Sequence, residues 1–475
     1  MSGEEKEAGI PDDDIPLPEG RYKLTGIYSS PSNRHVVNHR VTKPSYIRAQ
    51  AQAVRQVSAT IASPASKSMS MFNITKKFSS PAAPTPLPPP VVTGESADYF
   101  VFLSGGDSLC VCSLSVPDDT DAVREKRFQA SEPTCCSVNP YTSAVDNLDT
   151  VVGFESGEIL LVDALTSNQT GKFNSGSAQN MSRVTDVQWI PDSHNLFIAG
   201  FGNGVLLVYD RDKEDTQRNS SSSASQTIDP AGGGDAGFVV HHPRTSKSNP
   251  VARWLVSKGP INHVCFSGDG NMAVSCHDGY VRVFDFANEK LLYSLKSHYG
   301  AMLCSAWSPD NKFLVTGGED DLVIAWSWVE KAPLACCVGH NSWISAIAFD
   351  PELCDATHGA TGGGNYRFHS VGQDGRICTW DLNDTNLVFS RKRAGDKSRR
   401  TSFATPPSAK GGLRNVAEVP RADEMASLTP TANTLIDSEP LSSVHVTPQG
   451  IVTSCFSGEV KLWERPPRSR SDDGD

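Results

Sequence analysis

The chain is 475 residues long, more than one ordinary domain holds unless that domain is built from repeats. Charged residues make up 20% and hydrophobic residues 38%, so a large core can form while other stretches stay outside it. A net charge of -11 argues against a general nucleic-acid binder, which carries a basic footprint.

The chain opens MSGEEKEAGI, acidic and without the apolar stretch of a secretory leader. Residues 21–80 then hold ten Lys/Arg and no Asp or Glu, and the region ends in SSPAAPTPLPPP, a polyproline spacer. Residues 1–97 are therefore expected to be mostly disordered, although EGRYKLTGIYS (19–29) is apolar enough to dock somewhere. No later apolar run approaches the length of a membrane span.

From residue 98 a repeated unit appears. DYFVFLSGGDSLCVCSL (98–114) and TVVGFESGEILLVD (150–163) are strand–turn–strand cores, and SRVTDVQWIPDSHNLFIAGFGNGVLLVYD (182–210) is a fuller copy. INHVCFSGDGNMAVSCHDGYVRVFDF (261–286) returns as MLCSAWSPDNKFLVTGGEDDLVIAWSW (302–328), then as WISAIAFDP (343–351) with RFHSVGQDGRICTWDL (367–382). PLSSVHVTPQGIVTSCFSGEVKLWE (440–464) is the last copy. Phe266, Trp307 and Phe349 stand 41 and 42 residues apart, while Asp320 to Asp374 is 54 because LCDATHGATGGGNY pads that unit. Seven units, starting near 98, 134, 182, 259, 300, 341 and 440, predict an all-β, seven-bladed WD-repeat β-propeller over residues 98–466. One such sheet cannot bury both faces alone, and radial stacking solves that problem.

WD repeats share an internal lock in which a His before the first strand, a Ser/Thr in the second, a turn Asp and a Trp bond together. His298, Thr316, Asp320 and Trp326 fit it in one blade, and His340, Ser370, Asp374 and Trp380 in the next. Other units are degenerate: Asp278 goes with Phe284, and Asn203 with Tyr209.

Two inserts, 211–250 and 386–436, and a tail at 467–475 are expected to be disordered. The second insert carries RKRAGDKSRRTSFATPPS (391–408), which reads as a solvated basic loop, a nuclear import signal or a basophilic kinase site, with Thr401 and Ser402 as candidate phosphorylation positions.

Neither catalysis nor a metal or other cofactor is expected. The twelve cysteines lack zinc-ligand spacing and read as reduced, buried hydrophobes. The carboxylates of Gly317-Gly318-Glu319-Asp320-Asp321 fall in a turn whose Asp320 the lock uses. His241 and His242 are adjacent and point apart on a strand. GATGGGN (359–365) lacks the Lys-Ser/Thr of a phosphate loop.

Residues 132–382 closely resemble the WD repeat-containing protein 20 family, which includes the fungal catabolite-repression protein CreC. The resemblance rests on PTCCSVNP (133–140), SRVTDVQWIPDSHNLF (182–197), NPVARW (249–254), SHYGAMLCSAWSPDNKFLVTGGEDDLVIAWSW (297–328), HNSWISAIAFDP (340–351) and YRFHSVGQDGRICTWDL (366–382), with weaker echoes in EGRYKL (19–24) and TSCFSGEVKLWERP (453–466). It implies a non-catalytic cofactor that binds and activates a ubiquitin-specific protease, a cysteine deubiquitinase, often beside a second WD-repeat protein; the acidic opening and the lack of a spanning apolar run, not the resemblance, lead to the expectation of a cytoplasmic or nuclear location. It also implies that Tyr299 and Trp343, in the loops opening the fifth and sixth units, grip the protease; relatives carry Phe where Tyr299 stands. Aromatic residues on an exposed rim are suited to that role. Two other readings are a substrate receptor of a cullin-type ubiquitin ligase and a protein or RNA scaffold using the basic segments. Against the first, Trp380-Asp381 is followed by Leu382 and Asn383 rather than by the Arg such receptors carry.

Overall fold

Each repeat folds as one antiparallel sheet, and seven sheets form a β-propeller in the computed structural model, which describes residues 12–29, 42–50, 96–104, 106–113, 124–144, 146–215, 238–243, 247–354, 364–388, 416–420 and 424–467. Blade 5 shows the pattern: Met302–Trp307, Phe313–Gly318, Val323–Ser327 and Ala332–Cys337 pair in sequence order from the axis outward. The first strands of neighbouring blades pack against one another around the ring, including Leu441–Thr447 against Thr42–Gln50.

A middle strand is covered by a blade on either side, so it carries an unbroken buried run rather than alternation. Asp149–Phe154, Val205–Asp210 and Tyr366–Gly372 are buried at every position. The outer Gln169–Phe173 buries only Phe173. Among the described residues seven hydrophobic clusters result, one at each joint between blades. None of the twelve cysteines is in a disulfide, and ten are buried. Burial pushes the Cys136 thiol up to about 12 and leaves it protonated.

The propeller reaches further towards the N-terminus than the repeat pattern implies. Thr42–Gln50 is the inner strand of blade 1, pairing with Ser96–Ser104. Gly20–Ser29 pairs antiparallel with Glu459–Glu464 as the fourth strand of blade 7, and Asp14–Leu17 adds a fifth. The segment EGRYKLTGIYS thus docks on the last blade and closes the ring. Strand and partner lie more than 400 residues apart, so no periodicity announces the pairing.

The insert at 386–436 also contributes strands. Val416–Glu418 and Ala426–Leu428 run parallel to the outer strands of blades 4 and 5, and Ala432–Leu435 is the fourth strand of blade 6. In the insert at 211–250, Val239–His241 extends blade 3. The centres of both inserts, with Thr401 and Ser402, and residues 468–475 lie outside the described residues.

A buried ionic network ties this closure to blade 6. Arg367 Nε and Nη2 donate to the two oxygens of Asp381 (2.8 and 2.7 Å), and Nη1 reaches Glu19 Oε2 on the N-terminal segment. Tyr22 Oη donates to the other Glu19 oxygen, and Arg465 clamps the fully buried Asp350 at 2.9 and 3.1 Å. Beside them, His369 is fully buried, with Nδ1 2.9 Å from Thr379 Oγ1. Desolvation, then the positive charge of Arg367, holds its pKa down to about 3, below the ordinary 6.5. The neutral ring is therefore compatible with the fold, and stability is lost as pH falls from 6.5 towards 3, because only the unfolded chain gains the proton. Between pH 6.5 and 4.5 this group is expected to cost on the order of 2–3 kcal/mol. Thermal denaturation across that range checks it: His369→Gln should flatten the decline, and an unchanged slope in the variant refutes the assignment.

Candidate partner-binding face

In a four-stranded blade the second-to-third turn and the crossing into the next blade fall on the same side of the ring. That side is called the upper face here. Tyr299 lies in the crossing from blade 4 to blade 5 and Trp343 in the crossing from blade 5 to blade 6, so both sit on it. Both are exposed, at 66% and 44%. Trp343 therefore does not pack inward between blades.

Polar clips hold these crossings. In blade 6 the expected lock is complete: His340 Nδ1 lies 3.1 Å from Asp374, its Nε2 lies 2.8 Å from Ser370 Oγ, and Trp380 Nε1 donates to the same hydroxyl at 2.8 Å. Asn341 N donates to Asp374 and Gln373 N donates to the Trp343 carbonyl at 3.0 Å each, so the backbone on both sides of Trp343 is fixed.

Blade 5 differs by one residue. Trp326 Nε1 donates to Thr316 Oγ1 at 2.9 Å as expected, but Asp320 accepts from the buried Ser297 Oγ, and His298 is exposed and acts on Asp320 only through its charge. This corrects the assignment of His298 to the lock. A short hydroxyl satisfies the Asp without an imidazole having to enter the joint, which leaves the next two residues free to project. The carboxyls respond accordingly. Burial, opposed only in part by the Ser297 bond, raises Asp320, whereas in Asp374 burial is outweighed by the His340 bond and charge together with the backbone bonds from Asn341 and Arg376, which lower the pKa. Glu319 Oε2 completes the blade 5 clip by accepting from Ala301 N at 2.9 Å.

Similar clips occur elsewhere on this face. Asn180 and Asn203 exchange side-chain amide bonds at 2.9 and 3.1 Å in blade 3, and Ser257 Oγ donates to Asp278 at 3.1 Å in blade 4. Asp278 also forks onto the buried Arg282 at 2.7 and 3.0 Å. Blade 7 keeps the Trp–hydroxyl half, with Trp463 Nε1 donating to Thr453 Oγ1 at 2.9 Å, a bond that sequence reasoning missed. Its signal was present: Thr453 to Trp463 is ten residues, as are Thr316 to Trp326 and Ser370 to Trp380.

Asp437, Cys455 and Glu459 bring three ligand atoms together on blade 7, but the Lys461 ammonium stands 2.9 Å from Asp437 and already occupies the cation's place. His242 is bound to Glu289 at 2.9 Å. No helix among the described residues is long and apolar enough to cross a membrane. What the upper face offers is a rigid surface bearing exposed side chains, the chemistry of protein recognition.

Comparison with known proteins agrees with this architecture. The model of the "WD domain, G-beta repeat" family matches residues 249–285 and 289–327, the region of blades 4 and 5. The chain is 28% identical over 391 residues to "UBP9-binding protein bun62" of Schizosaccharomyces pombe, covering 77% of this chain and 70% of that one. It is 26% identical over 440 residues to "WD repeat-containing protein 20 homolog" of Caenorhabditis elegans, covering 76% of this chain and 56% of that one. A chain in "Crystal Structure of Mitotic Checkpoint Complex" superposes with a TM-score of 0.51 at 12% identity, covering 78% of this chain and 87% of that one, a likeness of fold alone.

Proposed function

Because the chain is a WD-repeat propeller related to WD repeat-containing protein 20, we propose that it is a non-catalytic scaffold that binds and activates a ubiquitin-specific protease. One observation carries the reading: Tyr299 and Trp343 stand exposed on adjacent crossings of a face whose backbone is clipped in place. Large exposed aromatics on a preorganised backbone lose little entropy on binding and serve as interface anchors. The name of the fission-yeast relative supports a protease as the occupant. In this reading the catalytic cysteine belongs to the partner, a second WD-repeat protein joins the complex, and the assembly works in the cytoplasm or nucleus.

The test is binding of the cognate ubiquitin-specific protease by calorimetry. Tyr299→Ala with Trp343→Ala should weaken binding at least 100-fold, about 2.7 kcal/mol, without changing the melting temperature. Wild-type affinity in the double variant removes the site; loss of binding accompanied by unfolding is separated by the melt.

A further inference from the structure

Two aromatics are too small a footprint for a stable protein complex. Partly exposed as they are, Tyr299 and Trp343 offer together on the order of 250 Å², whereas a stable interface covers about 800 Å² on each partner. The contact must extend along the upper face, and the exposed apolar side chains indicate the direction. Val338, 52% exposed, opens the same crossing as Trp343. Across blade 4, Met181 is 74% exposed on the crossing into blade 3. Leu255, 37% exposed, caps the upper end of the fourth strand of blade 3, beside the Gly204 turn. Among the described residues, the crossings into blades 7 and 2 carry no exposed large apolar side chain.

Met181 is also presented in the way the two aromatics are. The residue before it, Asn180, is buried and bonded reciprocally to Asn203 in the turn of blade 3. Asn180 to Asn203 is 23 residues, the same separation as Ser297 to Asp320, so the Asn pair takes the place of the Ser–Asp clip. The Asn180 carbonyl accepts from Asn174 Nδ2 at 2.7 Å, and Ser182 N donates to Asn180 Oδ1 at 3.1 Å. The backbone is held on both sides of Met181, and its flexible thioether chain is left in water, where it gains most from being covered.

We infer that the protease's footprint runs from blade 6 across blade 4 to blade 3, with Met181 as a third anchor opposite the aromatic pair. This rests on the proposed function and names new contacts for that face. A partner reaching across four blades spans the joints between them, so it reads the relative placement of blades rather than a single loop.

The experiment measures affinity for the cognate ubiquitin-specific protease with the full chain. Met181→Asp is expected to weaken binding at least tenfold, and Met181→Ala by less, with unchanged melting temperatures. Ser438→Asp, which puts the same charge on the exposed crossing into blade 7, should change affinity less than twofold. Wild-type affinity in Met181→Asp, while the Tyr299/Trp343 double variant fails to bind, overturns the extended footprint and leaves the proposed function standing. Equal losses in Met181→Asp and Ser438→Asp also overturn it, by showing a general effect of charge. If Met181→Asp abolishes self-association on a sizing column and protease binding is unaltered, a second copy covers blade 3 and the inference fails.

Discussion

Removing residues 1–29 is expected to leave a chain without a stable folded monomer. The deletion strips the fourth and fifth strands from blade 7 and exposes the ladder edge of Glu459–Glu464. It also removes Ile15, Leu17, Tyr22 and Tyr28 from the core. Burying such side chains stabilises a fold by roughly 1.5–3 kcal/mol each, so the four together approach the 5–15 kcal/mol that a folded domain commands in total. An opened propeller then has two unpaired sides, which invite aggregation. Circular dichroism melting and size exclusion read the result: the truncated chain should lose its cooperative transition, and a peptide of residues 12–29 added in trans should restore it. A cooperative melt within a few degrees of the full chain would show that the ring closes without this segment.

The second large effect is expected at Arg367. Its guanidinium serves Asp381 with two bonds and Glu19 with a third, and Asp381 accepts further bonds from Asn365 (2.9 Å) and Thr431 (2.8 Å). Burial lowers the Arg367 pKa, but Asp381 and Glu19 more than offset it and the net shift is upward. Arg367→Ala leaves the Asp381 carboxylate buried without its counter-charge and frees the N-terminal segment from blade 6. Breaking a buried pair in this way costs about 3–5 kcal/mol. The sign of the pH dependence separates lost charge from lost packing. In the intact protein burial raises Asp381, but the bond and charge of Arg367 together with the Asn365 and Thr431 bonds outweigh it and depress the pKa, so their contribution is present above the unfolded carboxylate range and fades as pH falls. In the variant only the Asn365 and Thr431 bonds oppose burial, so the folded carboxyl titrates higher than in the intact protein and acid relieves part of the penalty. The gap between wild type and variant should therefore narrow from pH 7 to pH 4 in denaturant melts. A constant gap means that Arg367 acts through packing.

The parts of this protein legible in its sequence are those made by neighbours in the chain. The 42-residue step places blades 4 and 5, because strand, turn and strand lie within one unit and repeat their chemistry. The blade 6 lock was readable for a related reason. Ser370, Asp374 and Trp380 belong to one hairpin, whose strands fix their separation, and His340 opens the same unit. Tyr299 and Trp343 were legible as exposed rim aromatics because their place in the repeat puts them on crossings.

Tertiary structure decided what depends on groups brought together from far apart or on a single residue of register. Ser297 and His298 are both plausible partners for Asp320, and only the path of the crossing chooses the smaller buried hydroxyl. Pairing of Gly20–Ser29 with Glu459–Glu464 carries no repeat, since a closing strand answers to the one edge left open. Val416–Glu418 and Ala426–Leu428 are too short to announce strands, and they become strands because blades 4 and 5 present edges for them to pair with. The propeller itself was determined locally, by patterns that each blade must satisfy alone. Its closure, and the reach of its upper face from Trp343 to Met181, arise only when all seven blades are in place, because burial and exposure belong to the whole ring.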